Sequence, residues 1–151
     1  MVKSTEEVTA TEPFTIRRRV RFGDCDPAGV VYTVRFSDYA VSAMDLFLAE
    51  MLGGPHIASA RALGIDLPLK ALRFVFLSSL RPDDEFDMVV GVGAVRNSTF
   101  DLIVTASTPA GEPVFEAVIT PICIPAGGER RSIEIPAALR AKLTAVMNAG
   151  T

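Results

Sequence analysis

The stretch Gly23-Asp24-Cys25-Asp26-Pro27-Ala28-Gly29-Val30-Val31-Tyr32 concentrates the groups able to do chemistry in this chain. Two carboxylates stand between a strand-like run and a helical pattern, in a segment that Gly and Pro mark as a loop. A helix start offers backbone N–H groups without an intrahelical partner, together with a partial positive charge. A carboxylate beside such groups is a minimal device for acyl transfer. The N–H groups hold a developing oxyanion, an effect worth about 3 kcal/mol per donor. The carboxylate either attacks the carbonyl or takes a proton from water. A thioester suits this device because its thiolate leaves with little acid assistance, whereas an amide needs a general acid and none is obvious. The two acids also have a plainer use, since Asp at a strand–helix junction commonly serves as cap and turn former.

Other chemistries are narrowed by what the chain lacks. With one histidine, His56, no metal site of two or three imidazoles can be built, although carboxylate sites stay formally open. A Ser-His-Asp or Cys-His nucleophile would have to use His56, which follows the turn signal Gly53-Gly54-Pro55 and reads as a solvated loop residue. Cys25 and Cys123 are too few for a disulfide framework and lack zinc spacing. Neither a metal nor a cofactor is expected. A net charge of −3 gives no broad attraction to nucleic acid, and no window approaches the length of a membrane span. The start of the chain has no apolar segment of the signal-peptide kind, so a cytoplasmic location is expected.

The elements that must position the acids follow from hydropathy patterning. Of 151 residues, 49% are hydrophobic and 22% charged, enough for one domain with a core and too apolar for a disordered chain. Residues 1–13 are polar and aperiodic and read as a mobile tail, leaving 14–151 as the domain. Residues 14–22 alternate, with Phe14, Ile16, Val20 and Phe22 on one side and Arg17, Arg19 and Arg21 on the other; Arg18 breaks the pattern. The arginines read as a solvated face, with phosphate binding as the functional alternative. Residues 34–52 predict a long helix whose apolar face is too wide for a surface element, stopped by Gly53-Gly54-Pro55. Strand-like runs at 72–80, 85–95, 99–107 and 113–124 follow and read as a meander, and Pro136 opens a short C-terminal helix. The order predicts an α+β fold in which an antiparallel sheet curls around one enclosed helix.

The sequence FGDCDPAGVVY followed by a long helix resembles the signature of the hotdog-fold 4-hydroxybenzoyl-CoA thioesterase family. Pro82-Asp83-Asp84, Arg96-Asn97-Ser98-Thr99-Phe100 and Ile133-Glu134-Ile135-Pro136-Ala137 sit where that family has similar segments, so the likeness spans roughly residues 14–140. It implies a hotdog fold, a five-stranded antiparallel sheet wrapped around the central helix, assembled as a homodimer or homotetramer with active sites between subunits. It places the catalytic carboxylate on Asp26, as nucleophile or general base, and the oxyanion-binding backbone N–H on Thr33, with Asp24 structural. Cys25 then reads as a small hydrophobe. Tyr32 and Arg35 fall beside the substrate, although Arg35 replaces a frequent Asn and equally reads as a partner for Asp24 or Asp38.

The resemblance makes an acyl-CoA the substrate, of an aromatic, 4-hydroxybenzoyl-like kind, because the histidine common after the motif in short-chain relatives is missing. Coenzyme A contacts fall on Arg96, Ser98 and Arg130. The basic cluster expected at the hairpin is thin, which keeps open an acyl thioester carried on a protein, or a hotdog module that binds acyl thioesters without cleaving them. A dehydratase would need a His–acid pair, for which His56 reads as poorly placed.

Overall fold

The computed structural model describes residues 3–150. Met1 and Val2, part of the expected tail, and Thr151 lie outside the described residues. The elements run β1 (Glu6–Thr11), β2 (Phe14–Arg19), α1 (Arg35–Leu52), α2 (His56–Ala62), β3 (Ile65–Asp66), β4 (Leu69–Phe76), β5 (Glu85–Val95), β6 (Phe100–Ser107), β7 (Pro113–Pro121), β8 (Ile124–Pro125) and α3 (Ala137–Ala149). A short 3₁₀ turn, Phe22–Asp24, leads into the acidic loop.

The main sheet is antiparallel and has six strands in the order β1-β2-β5-β6-β7-β4. The expected five-stranded sheet gains a sixth strand because the segment read as a tail pairs with β2, Glu6 opposite Arg18 and Thr11 opposite Phe14. The four later strands are not one meander. β5, β6 and β7 are, but β4 crosses to the far edge beside β7, with Phe74 opposite Ala117 and Phe76 opposite Phe115.

Helix α1 lies against β5, β6 and β7. Its buried positions Phe36, Tyr39, Ala40, Ala43, Met44, Phe47 and Leu48 recur at three and four residues, which sets one continuous stripe on the sheet. The facing strands bury alternate residues: Phe86, Met88 and Val90 on β5, and Phe100, Leu102, Val104 and Ala106 on β6. Gly53 takes the left-handed conformation, φ 79°, and its N–H bonds the Ala49 carbonyl to close the helix. Leu139 and Leu143 of α3 are fully buried, so the C-terminal helix belongs to the same core. Among the described residues no helix is long and apolar enough to cross a membrane.

Arg18, the misfit in the β2 alternation, points inward with Ile16 and Val20. Its Nη1 donates to Glu6 Oε2 at 2.6 Å, and its guanidinium lies 5.0 Å from the centre of the Tyr39 ring. An inward charge needs such a partner, and Glu6 of strand β1 supplies it.

Candidate functional site

The acidic loop is a small hairpin. Asp26 N–H donates to the Val30 carbonyl at 2.9 Å, Cys25 pairs with Val31, and Tyr32 N–H donates to the Asp24 carbonyl at 3.0 Å. Its tip is Asp26-Pro27-Ala28-Gly29. Gly29 N–H returns to the Asp26 carbonyl at 2.9 Å, and the Asp26 Oδ1 accepts the Ala28 N–H at 2.9 Å. Gly29 closes the loop at φ 78°, a conformation that favours glycine. Asp26 is therefore held at a fixed turn, half-buried, with Oδ2 engaged in no hydrogen bond among the described residues.

The return limb runs directly into α1. Arg35, Phe36 and Ser37 N–H groups bond the carbonyls of Tyr32, Thr33 and Val34, whereas the N–H groups of Thr33 and Val34 have no acceptor among the described residues. No side chain caps this end; its first-position residue is Val34. Thr33 is exposed, so its N–H is open to a ligand. Tyr32 is exposed beside it. Arg35 Nη1 pairs with Asp38 Oδ2 at 3.0 Å, the helical partner of the two it could have taken.

The two acids of the motif part company. Asp24 is buried, and its Oδ2 accepts the Tyr39 hydroxyl at 2.8 Å and the Arg21 N–H at 3.0 Å. Burial, reinforced by the Asp24 hydrogen bond, raises the Tyr39 phenol well above its ordinary pKa. Cys25 is half-buried against the core, and burial raises its thiol pKa as well.

Aromatic side chains crowd the same end of the molecule. Phe36, on the first turn of α1, lies 5.5 Å from half-exposed Phe76 and 5.6 Å from Phe115, and Phe74 stacks on Phe76 at 5.5 Å. Leu80 receives the Val31 N–H, which joins the segment after β4 to the acidic hairpin. Farther along α1 an open groove of about 470 Å³ is lined by Val41, Met44, Leu72, Asp45 and His56, among others. His56 is not the solvated loop residue its turn signal suggests. It is the first residue of α2, mostly enclosed, with Nδ1 3.1 Å from Asp45 Oδ1.

Arg96 and Ser98 share the β5–β6 turn. Arg96 is bound by Asp101, and Ser98 receives the Asn97 amide on its hydroxyl and the Cys123 N–H on its carbonyl. Arg130 is exposed in the segment after β8 and forms no ion pair among the described residues. Arg140 of α3 was not singled out in the sequence; its Nη2 donates to the Arg96 carbonyl at 2.7 Å, which adds a second guanidinium to this turn. Among the described residues no group of three His, Cys, Asp or Glu converges as a metal site would require.

Residues 20–143 match the family model of the thioesterase-like superfamily. The chain belongs to that superfamily. Solved structures agree on the hotdog fold. A 1,4-dihydroxy-2-naphthoyl-CoA thioesterase from Synechocystis is 21% identical with a TM-score of 0.76, covering 87% of this chain and 95% of that one. An aspartate-to-asparagine variant of 4-hydroxybenzoyl-CoA thioesterase, in complex with 4-hydroxybenzoyl-CoA, is 23% identical with a TM-score of 0.73, covering 93% and 99%. A Staphylococcus aureus protein in complex with CoA is 13% identical with a TM-score of 0.82, covering 99% and 89%. Comparison with curated proteins by sequence finds no match. As a member of this thioesterase superfamily the chain is an enzyme of the thioester-hydrolase class, built on an α+β hotdog domain.

Proposed function

We propose that this chain is an acyl-CoA thioesterase for aromatic acyl groups, with Asp26 as its reactive carboxylate and the Thr33 backbone N–H as its oxyanion donor. The observation that carries this reading is the hairpin that fixes Asp26 at its tip and ends in an uncapped helix start with the Thr33 N–H free. Asp26 attacks the thioester carbonyl, and the negative charge forming on the carbonyl oxygen is held at the helix start. The C–S bond breaks and coenzyme A leaves as thiolate. Water then opens the acyl–aspartyl anhydride, releasing the acid and regenerating the carboxylate. In the variant mechanism Asp26 instead takes a proton from the attacking water.

The aromatic preference rests on half-exposed Phe76, backed by buried Phe36 beside the first turn of α1, since an exposed ring suits a second aromatic group. Relatives named for naphthoyl and hydroxybenzoyl thioesters support it. In this reading Tyr32 and Arg35, both exposed at the start of α1, serve the acyl group, and Arg96, Ser98 and Arg130 serve the nucleotide. Among the described residues the outer edge of β4 pairs with no strand, and Leu69, Leu72, Val75 and Phe76, with Leu77 just after it, are exposed, which supports pairing with a second copy in a homodimer or dimer of dimers.

One observation favours a second reading. Arg96 is already paired with Asp101, so its charge at the hairpin is shared rather than free for a nucleotide phosphate, and an acyl thioester on a carrier protein would not need it. A thiol-release assay with 4-hydroxybenzoyl-, benzoyl-, phenylacetyl-, acetyl- and palmitoyl-CoA decides between them, run beside Asp26→Asn. Aroyl-selective turnover, lost by about 10³-fold or more in the variant with its fold intact, is the expected result. Near wild-type turnover in Asp26→Asn removes the mechanism. Silence on all five substrates, with release from carrier-bound aroyl groups, selects the second reading.

A further inference from the structure

Asp24 and Tyr39 take no part in the chemistry above, yet they form a buried polar contact beside it. Tyr39 is fully buried and Asp24 is 4% exposed. The Tyr39 hydroxyl and the Arg21 N–H both donate to Asp24 Oδ2, at 2.8 and 3.0 Å, while the Asp24 carbonyl accepts the Tyr32 N–H at 3.0 Å. Asp24 thus joins the 3₁₀ turn, the return limb of the hairpin and the body of α1. Among the described residues, Tyr39–Asp24 is the one side-chain hydrogen bond that ties residues 23–32 to that helix.

Tyr39 is itself held from several sides. Its ring packs against Phe36 at 6.0 Å and Phe86 at 5.1 Å, and Arg18 covers it at 5.0 Å. Arg18 is fixed by Glu6 Oε2 at 2.6 Å, and the other Glu6 oxygen accepts the Ser42 hydroxyl at 2.7 Å. Ser42 stands one turn beyond Tyr39 on α1, so strand β1, strand β2 and the helix all meet around the phenol. Its hydroxyl donates to Asp24 in the loop.

We propose that Tyr39 is a positioning residue: through Asp24 its hydroxyl sets the distance between the Asp26 carboxylate and the free N–H groups at the start of α1. The kinetic consequence rests on the thioesterase reading; the structural one does not. Acyl transfer is sensitive to such placement, and a displacement of about 1 Å costs on the order of 100-fold in rate. Binding of the thioester, spread over the acyl group and the nucleotide, is much less sensitive.

Because both hydrogen bonds converge on the same oxygen, an amide oxygen at that place serves as well as a carboxylate. Asp24→Asn should therefore keep kcat within about threefold of wild type, whereas Tyr39→Phe and Asp24→Ala should lose about 10- to 100-fold in kcat with KM changed less than about twofold. Amide hydrogen exchange of the bonded N–H groups of Asp26, Gly29, Val31 and Tyr32 should accelerate in Tyr39→Phe and Asp24→Ala and keep its wild-type rate in Asp24→Asn, with β6 and β7 unchanged in all three. Wild-type kcat in Tyr39→Phe overturns the proposal, and so does a loss in Asp24→Asn as deep as that in Asp26→Asn, which would make Asp24 a participant in the chemistry. Unaltered exchange of the loop in Tyr39→Phe overturns it too. Should Tyr39→Phe not fold, the Asp24→Asn and Asp24→Ala pair carries the same test. If wild-type protein cleaves no thioester, the functional reading fails while the exchange measurements still decide the positioning role.

Discussion

Arg96 and Asp101 face each other across the β5–β6 turn in a two-point ion pair, Nη1 to Oδ1 at 3.0 Å and Nη2 to Oδ2 at 2.8 Å. Thr120 on β7 adds a hydroxyl to Asp101 Oδ1 at 2.8 Å, and Arg140 clamps the Arg96 carbonyl. The paired geometry orients a guanidinium at the hairpin while leaving about half of its side chain, 51%, open to solvent. A phosphate reaching this turn meets a positioned but shared charge. Arg96→Ala is expected to raise KM for a CoA thioester about three- to tenfold at constant kcat and to leave KM for the matching pantetheine thioester unchanged. Equal effects on both substrates would remove Arg96 from nucleotide binding.

The same pair predicts a pH dependence. The Arg96 hydrogen bond, helped by Thr120, holds Asp101 below its ordinary value of 3.8 in the folded protein. A carboxyl with a depressed folded-state pKa binds its proton less readily folded than unfolded. Its stabilising contribution is therefore complete above about 3.8 and is lost as pH falls through the lower, folded value. Thermal unfolding followed from pH 6 down to pH 3 should show a steeper acid decline in wild type than in Asp101→Asn. Asp66, depressed by Arg61, adds a decline in the same direction that both proteins retain. Parallel curves would show that the pair contributes nothing to acid sensitivity.

Gly29 carries the turn that presents Asp26. A Cβ there meets nothing within 4 Å, so the cost of Gly29→Ala is conformational alone, about 1–2 kcal/mol for leaving an L-residue at φ 78°. The Asp26–Val30 and Gly29–Asp26 hydrogen bonds depend on that conformation. Denaturant unfolding should register a loss of this size, and kcat should fall more than KM rises. A variant with unchanged stability would mean that the loop reaches Asp26 by another turn.

How far these features were legible depends on whether local pattern or distant pairing decides them. Helix α1 begins at Arg35, one residue from its expected start, because its buried stripe is written in spacing that no neighbour can alter. The motif drew attention to both Asp24 and Asp26, but nothing local showed the partner that Asp24 takes in the core. Tyr39 sits in a run of core residues, where a tyrosine looks like one more hydrophobe until its hydroxyl is seen to need an acceptor. Strand β1 escaped because an edge strand buries little: its charged and threonine-rich face carries no alternation to detect. The inward parity of Arg18 was the available signal, since a charge on the core side of β2 demands a partner from elsewhere in the chain. The place of β4 beside β7 is invisible locally, because alternation tells which face a strand buries and not which strand it joins.

Among the described residues, the outer edge of β4 pairs with no strand. An exposed strand rich in large apolar side chains is normally blunted by charge or covered by another chain. Here Val75, Phe76 and Leu77 are about half exposed, at 54%, 50% and 47%, and Phe76 at the same time packs on Phe36 beside the start of α1. A second copy seated on this edge would therefore both cover it and wall the acyl site. Size-exclusion chromatography with light scattering should find wild-type protein as a dimer or larger. Val75→Lys, which places charge on the edge without touching Asp26 or Thr33, should shift it toward monomer and reduce thioester turnover in step with the monomer fraction. A monomeric wild-type enzyme with full activity would show that one chain completes the site unaided.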